Sequence, residues 1–304
     1  MSEQIKELDE KVSEEILSPS KLVWRRFKRN KLAIVGAAIL LALILFVTVG
    51  PLLSPYDQFK DDLINADQAP TQEHILGTDN VGRDVMTRLM YAGRISLTVG
   101  IASIAISIFI GVIMGTLAGY YGGIVDSIIM RVVDILMCVP SLALLILLSA
   151  LMSDLKIHPD YRIYIIMFII GITGWMGIAR LIRGQILSLR EQEFMQATEA
   201  LGLRTKKKMF RHLLPNLMAI IIVQATLGLG GAIMYESTLS FLGLGITPPR
   251  PSWGTMVQRV TDSYAMEFLP WTWVPAGICI FLAVMAINLL GDGLRDALDP
   301  KLKR

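Results

Sequence analysis

Charged residues along this chain fall in short islands, and between the islands lie long stretches without Asp, Glu, Lys or Arg. Leu32–Tyr56 runs for 25 residues, Ile95–Val125 for 31, Ile135–Ser153 for 19, Ile163–Ala179 for 17, and His212–Tyr235 and Phe268–Gly291 for 24 each. A helix rises about 1.5 Å per residue, so roughly 20 residues cross a hydrocarbon core of about 30 Å. The pattern predicts an all-α membrane protein with six transmembrane helices. A large soluble bundle with buried helices would not place a polar island after every such run.

The predicted organisation is a segment 1–31, a first helix 32–53, a polar loop 54–93, a five-helix core 94–291 holding a polar island at 190–216, and a tail 292–304. With both termini in the cytoplasm, twenty of the 29 Lys and Arg fall in inside segments and eight in outside segments, as the positive-inside rule requires. The basic patch from Trp24 to Lys31 then lies at the anionic inner leaflet, with Trp24 as an interfacial anchor. Before it, Ile5, Leu8, Val12 and Ile16 recur at helical spacing, which suits either a surface helix or a loose tail. The first run starts too late for a cleaved signal peptide and reads as a retained anchor.

Composition supports lipid as the solvent: 53% of residues are hydrophobic and 18% charged, against about a quarter charged in soluble domains. The net charge of +3 follows from the topology and does not point to nucleic acid. Cys138 and Cys279 lie within spans and read as buried thiols. His74, His158 and His212 are too dispersed for a metal site, and no G-x-x-x-x-G-K-[ST] phosphate cradle occurs. No catalytic, cofactor or metal residue is therefore assigned. An intramembrane enzyme would need a motif such as H-E-x-x-H or a paired carboxylate at depth. A self-contained channel or ion-coupled carrier would need coordinating carboxylates near the midplane.

Within the spans, Gly111, Gly115 and Gly119 make two G-x-x-x-G steps on one face, where a neighbouring backbone can approach. Gly171, Gly174 and Gly177, and Gly228, Gly230 and Gly231, narrow two further helices, and Pro140 predicts a kink. Three polar residues are candidates for a pathway or gate: Asp134, expected to pair with Arg131 at i, i+3; Glu236, expected as a solvated carboxylate at the end of its span or at an outer gate; and Asn288, expected as interhelical glue.

The island is the most informative stretch. Good helix formers run from Glu193 to Leu201, Gly202 stands where a helix ends in a left-handed cap, and a short basic helix follows before Pro215, where the fifth span begins. This predicts a helix–turn–helix on the membrane face, able to transmit force to something docked on it. The series Gln196-Ala197-Thr198-x-x-x-Gly202, nine residues, then His212-x-Leu214-Pro215, resembles the EAA loop of bacterial ABC importer permeases, with Gln196, Thr198 and His212 as departures. Further stretches are similar to the C-type permease of oligopeptide and dipeptide importers: Arg25-x-Phe27-x-Arg29-Asn30-Lys31, Leu76-Gly77-Thr78-Asp79-x-x-Gly82-Arg83-Asp84, Arg94-Ile95-Ser96-Leu97, Leu239 to Gly245, Pro251-Ser252-Trp253-Gly254, and Gly291 to Pro300.

The resemblance implies the type I ABC importer permease fold in a bacterial cytoplasmic membrane. It implies a homologous B-type permease, two ABC ATPase subunits that bind ATP and Mg, and an extracytoplasmic peptide-binding protein as partners, with no cofactor on this chain. It assigns ATPase coupling to Glu193, Phe194, Gln196, Ala197, Thr198, Gly202, His212, Leu214, Pro215 and Asn216. The expected substrate is a peptide, with nickel chelates or glutathione as alternatives within the family.

Overall fold

The computed structural model describes residues 19–155 and 158–298; the spaced apolar residues before Pro19 and the last six residues lie outside them. Among the described residues every named element is helical. In chain order they are α1 (Pro19–Arg29), α2 (Lys31–Leu53), α3 (Val85–Tyr121), α4 (Gly123–Met137), α5 (Ser141–Asp154), α6 (Pro159–Arg190), α7 (Glu193–Ala200), α8 (Thr205–Lys207), α9 (Leu214–Phe241), α10 (Trp253–Val257), α11 (Ser263–Phe268) and α12 (Val274–Leu298).

Five helices are long and apolar enough to cross a membrane: α2, α3, α6, the continuous stretch Thr205–Phe241, and α12. The third expected span, Ile135–Ser153, is not one helix. It is replaced by the pair α4 and α5, bent by 80° at the break around Pro140. The chain leaves α4 at Met137, and Pro140, which has no N–H to donate, stands just before α5. The polar loop is also shorter than 54–93. Asp84 caps α3 by accepting the Thr87 amide at 2.7 Å, so the helix begins at Val85.

The bundle is organised on α3 and α6, which share the most extensive contact of any two helices. They run parallel, and small residues of α3 meet backbone carbonyls of α6 at every fourth position. Ser103 donates to the Met167 carbonyl at 3.1 Å and Ser107 to the Gly171 carbonyl at 2.8 Å. A Cβ on Gly111, Gly115 or Gly119 would stand 2.9, 2.5 and 2.9 Å from the carbonyl oxygens of Trp175, Ala179 and Arg183. Five positions in steps of four thus form one seam in which the two backbones nearly touch, as small residues at a helix interface allow. Seen from α6, Gly171 and Gly174 accept Ile106 and Ser107 with equally little room.

Two further helices, α2 and α12, pack on each other beside α3. Asn30 caps α2 through the Ala33 amide and reaches Asp296 of α12 at 3.4 Å. Pro51 lies inside α2 and cannot donate to the carbonyl four residues back, that of Val47. Arg94 of α3 supplies the missing donor, its Nε at 2.6 Å from the Val47 oxygen and its Nη2 at 2.7 Å from the Thr48 oxygen. Arg94 thereby fastens α2 to α3 where a proline has opened the helix.

A Gly115→Leu variant should lower the stability of the detergent-solubilised chain by about 2 kcal/mol or more, since its Cβ meets backbone that cannot move aside. Gly177→Ala, where nothing lies within 4 Å of the added carbon, should leave it unchanged. Thermal unfolding midpoints of the two variants check this.

Candidate functional site

At the end of the bundle where α3, α6 and α12 finish, α7 stands as a compact knob. Met195 and Thr198 are its buried residues, and Met195 packs with Leu213 and Leu217 against Ile178, Ile182 and Ile186 of α6. The Thr198 hydroxyl donates to the Met195 carbonyl at 2.7 Å, so Thr198 faces the bundle and is not available to a docked protein. Glu193, Gln196, Ala197, Gly202, Pro215 and Asn216 are exposed, and Phe194, His212 and Leu214 are half-buried. The expected coupling residues therefore divide into an outward face and an anchoring face on one short helix.

The turn after α7 closes by two backbone bonds, Gly202 N–H to the Glu199 carbonyl at 2.9 Å and Leu203 N–H to the Thr198 carbonyl at 3.2 Å. This is the Schellman arrangement, and it places Gly202 at φ +64°, where a side chain is strained. The expected stop before Pro215 is absent. Lys208–Leu213 forms a π turn, in which the Leu214 amide bonds the Met209 carbonyl, and the helix continues through Pro215 into α9. Pro215 sits in the first turn of α9, where a missing N–H is tolerated.

The two acidic residues of α4 that face α6 hold this end together. Asp126 receives Arg183 through two bonds, Nη2 at 2.6 Å and Nε, and Asp134 receives Arg180 at 2.5 Å. The expected Arg131–Asp134 pair is thus corrected. Asp126, Met130 and Asp134 follow at i, i+4, i+8 on the stripe turned to α6, and Arg131 is off that stripe. Arg190 adds a bond to the Gly119 carbonyl at 3.2 Å and stacks over Tyr120.

Glu236 is not a solvated carboxylate. It is fully buried, because the segment after α9 folds back over it. Its Oε2 accepts Ser96 of α3 at 2.8 Å, and its Oε1 accepts Ser240 at 2.7 Å. The same hydroxyl oxygens accept in turn the backbone amides of Trp253, at 3.2 Å, and Ile246, at 3.1 Å. The Trp253 indole donates to the Leu89 carbonyl at 3.1 Å. One carboxylate thus ties α3, α9 and α10 together, and a serine 140 residues before it gave no sign of that in the sequence. Asn288 is exposed and forms no hydrogen bond to a described residue, so it is not interhelical glue within this chain.

A groove of about 380 Å³ opens between α3, the α4–α5 break, α6 and α9, lined among others by Ser141, Thr173, Gln224 and Tyr235 and by Gly174, Gly177, Gly228 and Gly231. None of the three expected pathway residues lines it. The glycines were visible in the sequence, but the polar residues between them carried no motif. Among the described residues no group of His, Cys, Asp and Glu could hold a metal.

Residues 107–304, which include the knob, its π turn and Glu236 itself, match the family model for the binding-protein-dependent transport system inner membrane component. The chain belongs to that permease family. Residues 18–70 match the N-terminal transmembrane domain of oligopeptide transport permease C. The permease is 42% identical to the oligopeptide transport system permease protein OppC of Bacillus subtilis, over 97% of this chain and 94% of that one. It is 43% identical to the dipeptide transport system permease protein DppC of the same bacterium, over 95% and 88%. It is 40% identical to OppC of Haemophilus influenzae, over 95% and 92%.

A Glu236→Ala permease would lose the shared acceptor of two buried hydroxyls and leave a cavity behind it. The expected cost is about 3 kcal/mol, with the loss concentrated where α10 docks. Faster amide hydrogen exchange at Trp253 to Val257 than in α6 would mark it.

Proposed function

We propose that this permease is half of the translocation pathway of an ATP-driven peptide importer, and that α7 is the element its ATPase partner moves. The observation that carries this reading is the construction of α7: a closed turn at Gly202, an exposed outer face, and an inner face seated on α6 through Met195 and Leu213. A push on such a knob passes to α6, and through the seam to α3. The groove between α3, α6 and α9 is the surface that would face a second, homologous permease and enclose substrate with it.

In this reading the α7 end is cytoplasmic, which agrees with the excess of Lys and Arg in 1–31 and 180–215. The remote end, with residues 54–84 and 242–273, faces outward toward an extracytoplasmic binding protein. The ATPase subunits bind ATP and Mg, and this chain hydrolyses nothing. Relatives named for oligopeptides and dipeptides favour a peptide over nickel chelates or glutathione.

A cysteine in place of Lys207 should crosslink to an ATPase subunit in the assembled transporter, and one in place of Asn80 should react with an impermeant maleimide added outside intact cells. The reverse pattern would overturn the topology. Gly202→Val should insert normally and lower ATP-driven uptake at least tenfold, because valine at φ +64° opens the turn. Uptake at the wild-type rate would show that the turn is not part of the coupling.

A further inference from the structure

The end remote from α7 is built as a folded cap. Thr78 and Asp84 pair as an antiparallel bridge, and Asp79 accepts the backbone amides of Val81 and Arg83 at 3.0 and 2.9 Å. Between this cap and the segment around α10 lies a pocket of about 420 Å³. Four arginines line it, Arg83, Arg88, Arg250 and Arg259, against two acids, Asp79 and Asp262. The wall is therefore net positive.

Two of these arginines are firmly committed. Arg83 meets Asp61 at 2.6 Å, and Arg88 meets Asp79 at 3.2 Å and the Gln58 carbonyl at 3.1 Å. Arg259 is different. Its Nη2 stands 3.4 Å from Asp67 and its Nη1 3.7 Å from Asp262, both long for charged pairs, and its Nε is buried with no hydrogen-bond partner. A buried donor without an acceptor is costly to maintain. A guanidinium held loosely between two acids can turn to a third without unfolding anything.

We propose that this pocket receives an acidic side chain of the extracytoplasmic binding protein, and that Arg259 is the residue that grips it. The inference rests on the importer reading, in which this end faces outward and a protein must dock on it. Charge complementarity selects a carboxylate, and a guanidinium fork binds one in a fixed orientation. A carboxylate of the substrate is disfavoured, since the pocket shares no residue with the groove between α3, α6 and α9.

The test uses the complete transporter in nanodiscs and the binding protein that stimulates its ATP hydrolysis, with docking affinity measured by interferometry. Arg259→Gln should weaken docking roughly tenfold, the loss of one charged hydrogen-bonded contact, and Arg259→Lys should recover part of it. Asp262→Asn should tighten docking about threefold by freeing Arg259 from a competing charge. That variant keeps the oxygen that caps α11 through the Tyr264 amide at 3.0 Å, so a merely structural role predicts no gain from it. Docking within twofold of wild type for both Arg259→Gln and Asp262→Asn would overturn the proposal and leave the importer reading intact. So would a loss seen only with peptides bearing a free C-terminus, or only in discs containing anionic lipid. Failure of any binding protein to dock on the wild-type transporter would instead sink the importer reading itself.

Discussion

The contact on which the rest of the molecule depends is the parallel seam of α3 and α6. Ser103, Ser107, Gly111, Gly115 and Gly119 lie one turn apart, and each faces a carbonyl of α6. In lipid no hydrophobic force drives two apolar helices together, so close packing and hydrogen bonds must do it. Small residues provide both here. The upper two seam positions carry hydroxyl donors, and the lower three carry glycines that let the backbones meet. Because the contact is backbone to backbone, it leaves little freedom for one helix to slide on the other, and the elements attached to either inherit that rigidity.

The two ends of the molecule are attached to this seam in different ways. At one end α7 is seated on α6 by apolar contact, and α4 is tied to α6 by Asp126–Arg183 and Asp134–Arg180. Ion pairs with one face open to solvent or a partner contribute modestly to stability and can exchange. At the other end Glu236 gathers Ser96 and Ser240, and through them Trp253 and Ile246, into a buried network in which every group has a partner. Such a network fixes one arrangement, since a broken member would leave an unpaired polar group in an apolar interior. One end is thus built to move as a unit with α6, and the other to hold its shape.

The apolar runs located the spanning helices because lipid leaves a composition signal that needs no tertiary context. They failed where polar residues belong to a helix. Arg88 and Arg94 hid the first ten residues of α3, because both find partners outside that helix, in Asp79, in the Val47 carbonyl that Pro51 leaves open and in the carbonyl of Thr48. Arg180 and Arg183 hid the last turns of α6 for the same reason. Gly202 was legible as a cap because its role is local. Glu236 was not, because what surrounds it comes from residues 96, 240, 246 and 253, and no spacing along the chain announces that meeting. The Ser103 and Ser107 steps of the seam were overlooked since a serine in an apolar run looks neutral until its acceptor is known.

If the seam is the rigid core of the proposed coupling path, α7 and α3 should move together when nucleotide binds. Spin labels at Gln196 on α7 and Ile113 on α3, both exposed, allow their separation to be measured by double electron–electron resonance in the assembled transporter. The expected result is one distance distribution, the same in the nucleotide-free and ATP-bound states. A distance that shifts with nucleotide would mean that α7 swings free of the bundle, and the seam would then carry no force.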